Sequence, residues 1–376
     1  MVGFCLCKFC SKRFEGVLVT NVKDNNCQVC GGKMGSAKGL AESALKDAAK
    51  FEWETFTVSS SFPKSVFVCE EKIADISGPG NYTSLKNATN SFLSSLISSA
   101  TGKKTASRQA DAVFEFDFTN TKSRAYPSNL YVFGHYLKFS RFHCQSRWHC
   151  SECGGKGCQS CGGSGKNYPS IEDEVGKAMG KVFMAEKWTL HASGREDVDV
   201  RTLGGGRPFV MELFRPCKRN ANPISAESES SSNPFARAVG LKKVGKHFLD
   251  AVCNSHFNKE YSALVSADRA LTLSDAKKLG SLAGMTIRQQ TPKRVLSRRT
   301  DMERRRKILS ISAALEGEGK LRLNITAEAG TYIKELINSD EGRTSPSVSG
   351  ILSCKASCDE LDVIGIHDHF LETISD

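Results

Sequence analysis

The stretch ASGREDVDVRTLGGGRPF at residues 192–209 decides how the rest of the chain is read. Gly194, Arg195, Glu196 and Asp197 put one base and two acids into four positions, and Gly204, Gly205, Gly206, Arg207 and Pro208 follow as an expected turn. Apolar runs flank it, FMAEKWTLHA before and PFVMELF after, so a charged, glycine-rich loop is expected between two structured elements. Loops held on a rigid scaffold often carry chemistry, although the same residue types also suit a solvated surface loop.

The chain has 376 residues, enough for two or three domains with their own cores. Charged residues make up 25% and hydrophobic residues 39%, the balance of a soluble globular protein. The 52 Lys and Arg against 41 Asp and Glu leave a formal charge of +11, which is compatible with a polyanionic partner without proving one. No apolar run approaches the roughly 18 residues of a membrane span. The N-terminal MVGFCLCKFC lacks the apolar core of a signal peptide. A cytoplasmic location with no membrane partner is therefore expected.

Eight of the 15 cysteines fall in Cys-x-x-Cys pairs, a spacing that in an intracellular protein reads as metal binding. Cys7 and Cys10 are separated from Cys27 and Cys30 by sixteen residues. Two such pairs can close a tetrahedron around a structural zinc with a short hairpin between them, a zinc ribbon over residues 1–36. A redox dithiol is the other reading, but it has no need of two matched pairs. A second group follows in CSECGGKGCQSCGGSG, with Cys150, Cys153, Cys158 and Cys161. Its spacer of Gly154, Gly155, Lys156 and Gly157 lets the chain fold back to present four thiolates to one ion, zinc or alternatively iron in an iron–sulfur cluster. The tandem Cys-x-x-Cys-x-Gly-x-Gly units resemble the zinc repeats of DnaJ-type chaperones. That family uses four such units, and no His-Pro-Asp of a J domain occurs in this chain.

Between the cysteine groups the pattern is mixed α/β. Leu40, Ala44, Leu45 and Ala48 recur at helical spacing in 37–50, and Leu85, Phe92, Leu93, Leu96 and Ile97 in 84–100. Runs at 53–61 and 112–118 read as strands, the latter alternating Phe114, Phe116 and Phe118 with Glu115 and Asp117. Residues 129–150 read as a strand followed by a basic, aromatic connection, and 170–190 as an amphipathic helix and a strand leading into the Asp197 loop. NPISAESESSSNPFARA at 222–238 is serine-rich with two Asn-Pro breaks and is expected to be a flexible surface insertion. The runs QQTPKRVLSRR at 289–299 and MERRRKI at 302–308 suit phosphate contacts, or else an exposed helix face on which Glu303 pairs with Lys307.

Gly194-Arg195-Glu196-Asp197 resembles the Gly-Arg-x-Asp motif of pseudouridine synthases, and the longer string GREDVDVRTLGGGRPF resembles the archaeal form of the THUMP-containing Pus-ten family of tRNA pseudouridine synthases. Further matches follow in order: Gly134, Tyr136, Lys138, Ser140 and Arg141; then NKEYSALV at 258–265, AGTYIKEL at 329–336 and CDELDVIGI at 358–366. The resemblance implies an α+β chain: a zinc ribbon, a THUMP-like RNA-binding module over 37–124, and a mixed-sheet catalytic domain over 125–376 with a Cys-rich insert at 150–165. It implies Asp197 as the catalytic carboxylate and Lys334 as its partner. Tyr261 corresponds to the active-site tyrosine, Tyr332 and Ile333 wall the uridine pocket, and Leu361 packs on the target base. Arg195 contacts phosphate or occupies the vacated base position. The implied partner is a tRNA gripped by the N-terminal modules, the implied targets are uridines 54 and 55 of the TΨC arm, and the chemistry requires base flipping and no cofactor. A monomer is expected, since clamping a tRNA needs no symmetry.

Other RNA-directed readings fare worse. A methyltransferase needs a glycine-rich loop opening a helix, whereas Gly204–Gly206 lead into Arg207, Pro208 and a strand-like run. A thiolase needs a Ser-Gly-Gly-x-Asp-Ser loop, which the chain lacks. A zinc-dependent THUMP protein that binds RNA without catalysis is the alternative from a different class, and it predicts that Asp197 is dispensable.

Overall fold

The computed structural model describes residues 3–374 except Arg298 and Glu318. It divides into two units, the first comprising Met1–Leu130 with Phe183–Lys187 and Phe214–Ala221, and the second the remainder. The division falls later than residue 124 because the strand Lys122–Pro127 completes the first unit's sheet.

In the first unit the helix Ala37–Ala48 buries Leu40, Ala41, Ala44 and Ala48, one face at helical spacing. The helix Leu85–Thr101 starts on the Ser84 hydroxyl, which accepts from Asn87 N at 3.3 Å, and stops at Gly102 in the left-handed conformation at φ 72°. A third helix, Lys64–Ser77, was not anticipated; Val66, Ile73 and Ala74 give it a buried face. These helices accompany a four-stranded sheet in the order Lys104–Thr105, Thr55–Ser61, Ala112–Asp117, Lys122–Pro127. The expected alternation holds in Ala112–Asp117, whose Phe114 and Phe116 face the core with Trp53 and Phe56.

Cys7, Cys10, Cys27 and Cys30 belong to the same apolar core as that sheet. The strands near them do not form the expected hairpin: Phe4–Leu6 pairs in parallel with Val19–Asn21. Each short strand instead precedes its own Cys-x-x-Cys turn, so the two pairs arrive from the same direction.

The second unit is built on a ten-stranded mixed sheet. Its order is Ala236–Val244, Leu130–Lys138, Arg201–Phe214, Ala356–Ile366, Lys259–Ala267, Lys320–Ala327, Glu303–Leu315, Thr286–Gln290 and Thr344–Ser345, with Lys187–Ala192 pairing Arg201–Phe214 off this path. Arg201–Phe214 runs parallel to Ala356–Ile366 with Arg201 opposite Asp362, and Lys259–Ala267 is antiparallel to both of its neighbours.

Three local expectations are corrected. Gly204–Gly206 do not turn the chain; they lie within the strand Arg201–Phe214. Glycine is needed there because a Cβ on Gly204, at φ 60°, would collide with the Ile364 carbonyl oxygen, and one on Gly206, at φ 84°, would press on that of Tyr136. The serine-rich 222–238 segment is not a flexible insertion but holds the helix Ile224–Ser231 and the start of the strand Ala236–Val244. Its polar groups bind backbone: Leu241 N donates to Glu227 at 2.6 Å and Ala238 N to the Ser230 hydroxyl at 3.2 Å, while Ala226 is buried. The basic 302–308 run is a strand, not a helix face, and so its residues alternate between two sides of the sheet.

Candidate active site

The Asp197 loop joins the strand Lys187–Ala192 to the strand Arg201–Phe214, and a buried polar network beneath it fixes its path. Glu196 is buried between Arg207, whose Nε lies 2.8 Å from its carboxylate, and Tyr136, whose hydroxyl donates at 2.8 Å. Gln145 Nε2 donates to the Tyr136 hydroxyl and to the Gly194 carbonyl, both at 2.8 Å. Arg207 Nη1 donates to the Ser193 carbonyl at 2.8 Å. Lys138 Nζ donates to the carbonyls of Asp197 at 3.0 Å and Val198 at 2.8 Å, and Arg141 Nη1 to those of Asp199 at 2.9 Å and Leu361 at 3.0 Å. Of the residues matched at 134–141, Lys138 and Arg141 thus hold loop carbonyls, and Tyr136 holds the Glu196 side chain. Burial pushes the Lys138 ammonium down to about 8, against the acidic groups nearby.

With Glu196 turned inward, its neighbour Asp197 faces a cavity of about 610 Å³, its side chain 39% exposed. That volume lies in the usual range for small-ligand pockets. The carboxylate is met by Arg294, whose Nη1 lies 2.9 Å from Oδ1 and 2.8 Å from Oδ2. Arg294 is itself braced by Glu335, Nε to Oε1 at 2.7 Å. Burial works against the Arg294 cation, but Glu335 and Asp197 outweigh it and keep the guanidinium charged. Lys334 stands differently from its expected role: its Nζ is 3.5 Å from Asp197 but 2.7 Å from Asp199. Burial raises the Asp199 carboxyl, yet contact with Lys334 holds it below the usual carboxylate range. Lys334 is chiefly the partner of Asp199, and Arg294 is that of Asp197.

All seven residues singled out for catalysis and substrate contact line this one cavity: Arg195, Asp197, Tyr261, Tyr332, Ile333, Lys334 and Leu361. Tyr261, Ile333 and Leu361 are buried in its wall. Burial pushes the Tyr261 phenol up to about 12, so it stays neutral and can pack on a base without carrying charge. Tyr332 is fixed by reciprocal bonds with the Gln289 side chain, both at 2.9 Å, and its hydroxyl accepts from Arg299 at 3.3 Å. Arg195 is exposed at the cavity. Arg299, Arg304, Arg306 and Lys259 add positive charge to the lining. Arg294 and Arg299 come from the 289–299 run, and Arg304 and Arg306 of the 302–308 run reach the cavity together because they sit two apart on one strand.

From sequence, Glu196, Arg207 and Gln145 carry no assigned role, and Arg294 stands only within the basic run 289–299 expected to suit phosphate contacts. Two adjacent acids in a Gly-Arg-Glu-Asp string are a usable signal that one faces in and one out. Nothing local marks Arg294 as the aspartate's partner, since the two lie 97 positions apart.

The cysteine groups both converge. The four thiols of Cys7, Cys10, Cys27 and Cys30 lie within 4.8 Å of one another, as do those of Cys150, Cys153, Cys158 and Cys161. All eight are free of disulfides. Sγ separations are 3.7 Å for Cys7–Cys30, 3.8 Å for Cys150–Cys158, 3.9 Å for Cys153–Cys161 and 3.7 Å for Cys158–Cys161. Four thiolates about 2.3 Å from one tetrahedral ion would stand roughly 3.8 Å apart, so both groups can hold a single metal ion. Cys158 N and Gly165 N each donate to Cys161 Sγ at 3.2 Å, bonds that suit a metal-bound thiolate.

Residues 131–367 match the family model described as "Pus10, C-terminal". The chain is similar to the tRNA pseudouridine synthase Pus10 of Korarchaeum cryptofilum, at 37% identity over 90% of this chain and 92% of that protein. It is likewise similar to the protein of that name from Archaeoglobus fulgidus, at 32% over 96% and 99%, and from Methanocaldococcus jannaschii, at 32% over 93% and 77%. Among solved structures, a Cbf5-Nop10-Gar1 complex aligns with 51% of this chain and 44% of its own at 19% identity and a TM-score of 0.32, too distant to carry a fold assignment.

Proposed function

Since the chain belongs to the Pus10 family of tRNA pseudouridine synthases, we propose that it isomerises uridine to pseudouridine in the TΨC arm of tRNA, at positions 54 and 55, with Asp197 as the catalytic carboxylate. The observation that carries this reading is the convergence of Asp197, Tyr261, Ile333, Lys334 and Leu361 on one cavity.

The reaction breaks the bond from ribose C1′ to uracil N1, turns the base, and joins C1′ to C5. The hydrogen on C5 then leaves as a proton and N1 takes one up from solvent, so that the product is an isomer of the starting uridine. No electrons are exchanged with an outside group, so no redox cofactor or energy source is called for. An ionised Asp197 starts the reaction by adding to C1′ or by taking the C2′ proton to give a glycal. Arg294 holds and aims the carboxylate from one side. Tyr261, Ile333 and Leu361 retain the detached uracil and keep out water that would quench the sugar intermediate. A uridine in a helical stack cannot reach a carboxylate in this cleft, so the target is flipped out, while Arg195, Arg299, Arg304 and Arg306 meet the phosphates around it.

The first unit serves as the THUMP-like module and binds another part of the tRNA, the acceptor stem. Both cysteine sets hold structural zinc: each offers four thiolates and no open position, which suits a fold-stabilising ion rather than a Lewis acid. The enzyme acts as a monomer.

The test uses purified protein and an unmodified tRNA transcript with no cofactor added, mapping pseudouridine by carbodiimide-stop primer extension. Stops at 54 and 55 with wild type and none with Asp197→Ala, which still binds the tRNA, are expected. Wild type that binds tRNA and yields no stop would instead favour a non-catalytic RNA-binding protein.

A further inference from the structure

The second cysteine group has no catalytic part to play in the reaction above, yet it sits beside the cleft. It is a loop tied off at its neck by a short antiparallel pairing, Trp148–His149 against Lys166–Tyr168, in which Trp148 lies opposite Tyr168 and Cys150 N donates to the Gly165 carbonyl at 2.9 Å. Between Cys150 and Tyr168 no side chain other than that of Cys150 joins the buried apolar set. The loop turns on Gly154, Gly155, Gly157, Gly162, Gly163 and Gly165, all at positive φ. Such a segment has no core to fix it, and among the described residues the four converging thiols are what can cross-link it.

The neck is anchored below. Arg147 pairs with Asp173 at 2.7 Å and with Glu172 at 3.3 Å, both in the first turn of the helix Ile171–Phe183, and its Nη1 donates to the Trp188 carbonyl at 3.0 Å. On the returning strand Lys166 also pairs with Asp173. The metal set above and these ion pairs below fix the two strands between them.

What the two strands present is aromatic. The Trp148 and Tyr168 rings lie 5.6 Å apart, tilted by 43°. Tyr168 is 41% exposed, and Trp148, two positions before the ligand Cys150, lines the same cavity as Asp197. Arg195, Arg299, Arg304 and Arg306 line that cavity too. Aromatic faces next to guanidinium groups are the composition that binds unpaired nucleotides, bases stacking on the rings and phosphates meeting the cations.

We propose that the four-cysteine loop is an RNA-binding part of the catalytic cleft: its metal fixes the strands so that Trp148 and Tyr168 form a ledge on which an unpaired base next to the flipped nucleotide stacks. This rests on the reading of the cleft as the site of an RNA-modifying enzyme. It gives the metal a task beyond local folding, because the ledge and the ligand set share one short strand. Loss of the metal releases Trp148 from the cleft and weakens RNA binding while leaving the Asp197 network in place.

The experiment measures metal content by elemental analysis, the dissociation constant for an unmodified full-length tRNA transcript, and the single-turnover rate at saturating tRNA. The proteins are wild type, Trp148→Ala, Trp148→Phe, the double variant Cys158→Ser with Cys161→Ser, and the combination of that double variant with Trp148→Ala. Trp148→Ala is expected to keep both metals and bind tRNA about tenfold more weakly, the scale of one lost base–aromatic stack. The loss shows in the dissociation constant more than in the saturated rate, since the stack contributes mainly to binding. Trp148→Phe recovers most of the affinity. The cysteine double variant loses one metal and weakens binding to the same extent, and adding Trp148→Ala costs nothing more, because both changes remove one interaction. Wild-type affinity in Trp148→Ala with its metals intact overturns the proposal, as does wild-type affinity in the metal-depleted double variant or a multiplied loss in the combination. A wild type that forms no pseudouridine contradicts the proposed activity, whereas an active wild type with an indifferent Trp148 contradicts only the ledge.

Discussion

Glu196 and Asp197 are neighbours with opposite surroundings, and the difference separates their tasks. Glu196 is sealed against Arg207 and Tyr136, so it holds the loop; Asp197 is part open to the cavity and is met by Arg294, so it is available for chemistry. Among the described residues, removing Arg294 leaves Asp197 with the more distant Lys334 and leaves Glu335 without its guanidinium partner. Arg294→Ala should lower the single-turnover rate by about 10²-fold, the scale expected when a reacting group is displaced by an ångström. Arg294→Lys should recover little of it, because an ammonium cannot serve both carboxylates through a planar fork. An Arg294→Ala rate equal to wild type would contradict this assignment. A second prediction concerns Lys259, which burial, helped by nearby Arg207, pushes down to about 8 from 10.5. Between those values the unfolded chain binds the proton and the folded one does not, so this group adds stability as pH rises through the window and its full cost falls below pH 8. Lys259→Met should therefore gain most on wild type at pH 7 and less at pH 9.5, as read from denaturant midpoints. A stability difference that grows with pH would reverse the sign.

At the scale of elements, the glycines of the strand Arg201–Phe214 show how backbone proximity fixes residue choice. Gly204→Ala forces a side chain against the Ile364 carbonyl at a positive φ, and it should destabilise the protein by about 1–3 kcal/mol. Gly205 has open space around it, and Gly205→Ala should stay within about 0.5 kcal/mol of wild type. Equal denaturant midpoints for the two variants would contradict the close approach. The same glycines mark a limit of sequence reading: three in a row suggest a turn, and only the neighbouring strands Ala356–Ile366 and Leu130–Lys138 reveal why the strand needs Gly204 and Gly206. The helix Ile224–Ser231 is a second case. Its serines and glutamates look like linker composition, yet Ser230 and Glu227 are spent on backbone groups of the strand beside it, which no local pattern announces. By contrast, the helices Ala37–Ala48 and Leu85–Thr101 were legible because each carries its own periodic face and, in the second, its own cap. The site itself was legible in part. Asp197, Tyr261, Ile333 and Lys334 sit in short ordered motifs, whereas Arg294, Glu335 and the Glu196–Arg207–Tyr136 network depend on contacts between distant strands.

For the whole molecule, the charge of +11 and the arginine-lined cleft make RNA binding an electrostatic matter. A protein making six to ten phosphate contacts loses about 10³–10⁵ in affinity between 50 and 200 mM salt. The tRNA dissociation constant should show a dependence of that order, and replacing Arg304 and Arg306 together by Ala should reduce the slope against log salt by about 2. An unchanged slope would remove these two residues from the phosphate path. No helix among the described residues is long and apolar enough to cross a membrane. The central claim is that Asp197 drives an isomerisation in which C5 gives up its hydrogen. Tritium release from a tRNA transcript carrying 5-tritiated uridine tests it most directly, with wild type beside Asp197→Asn at equal, saturating occupancy. Prompt release of the label from the target uridines is expected with wild type, and none above background with the variant. Release by Asp197→Asn at the wild-type rate, or a wild type that binds the tRNA and releases nothing, would contradict it.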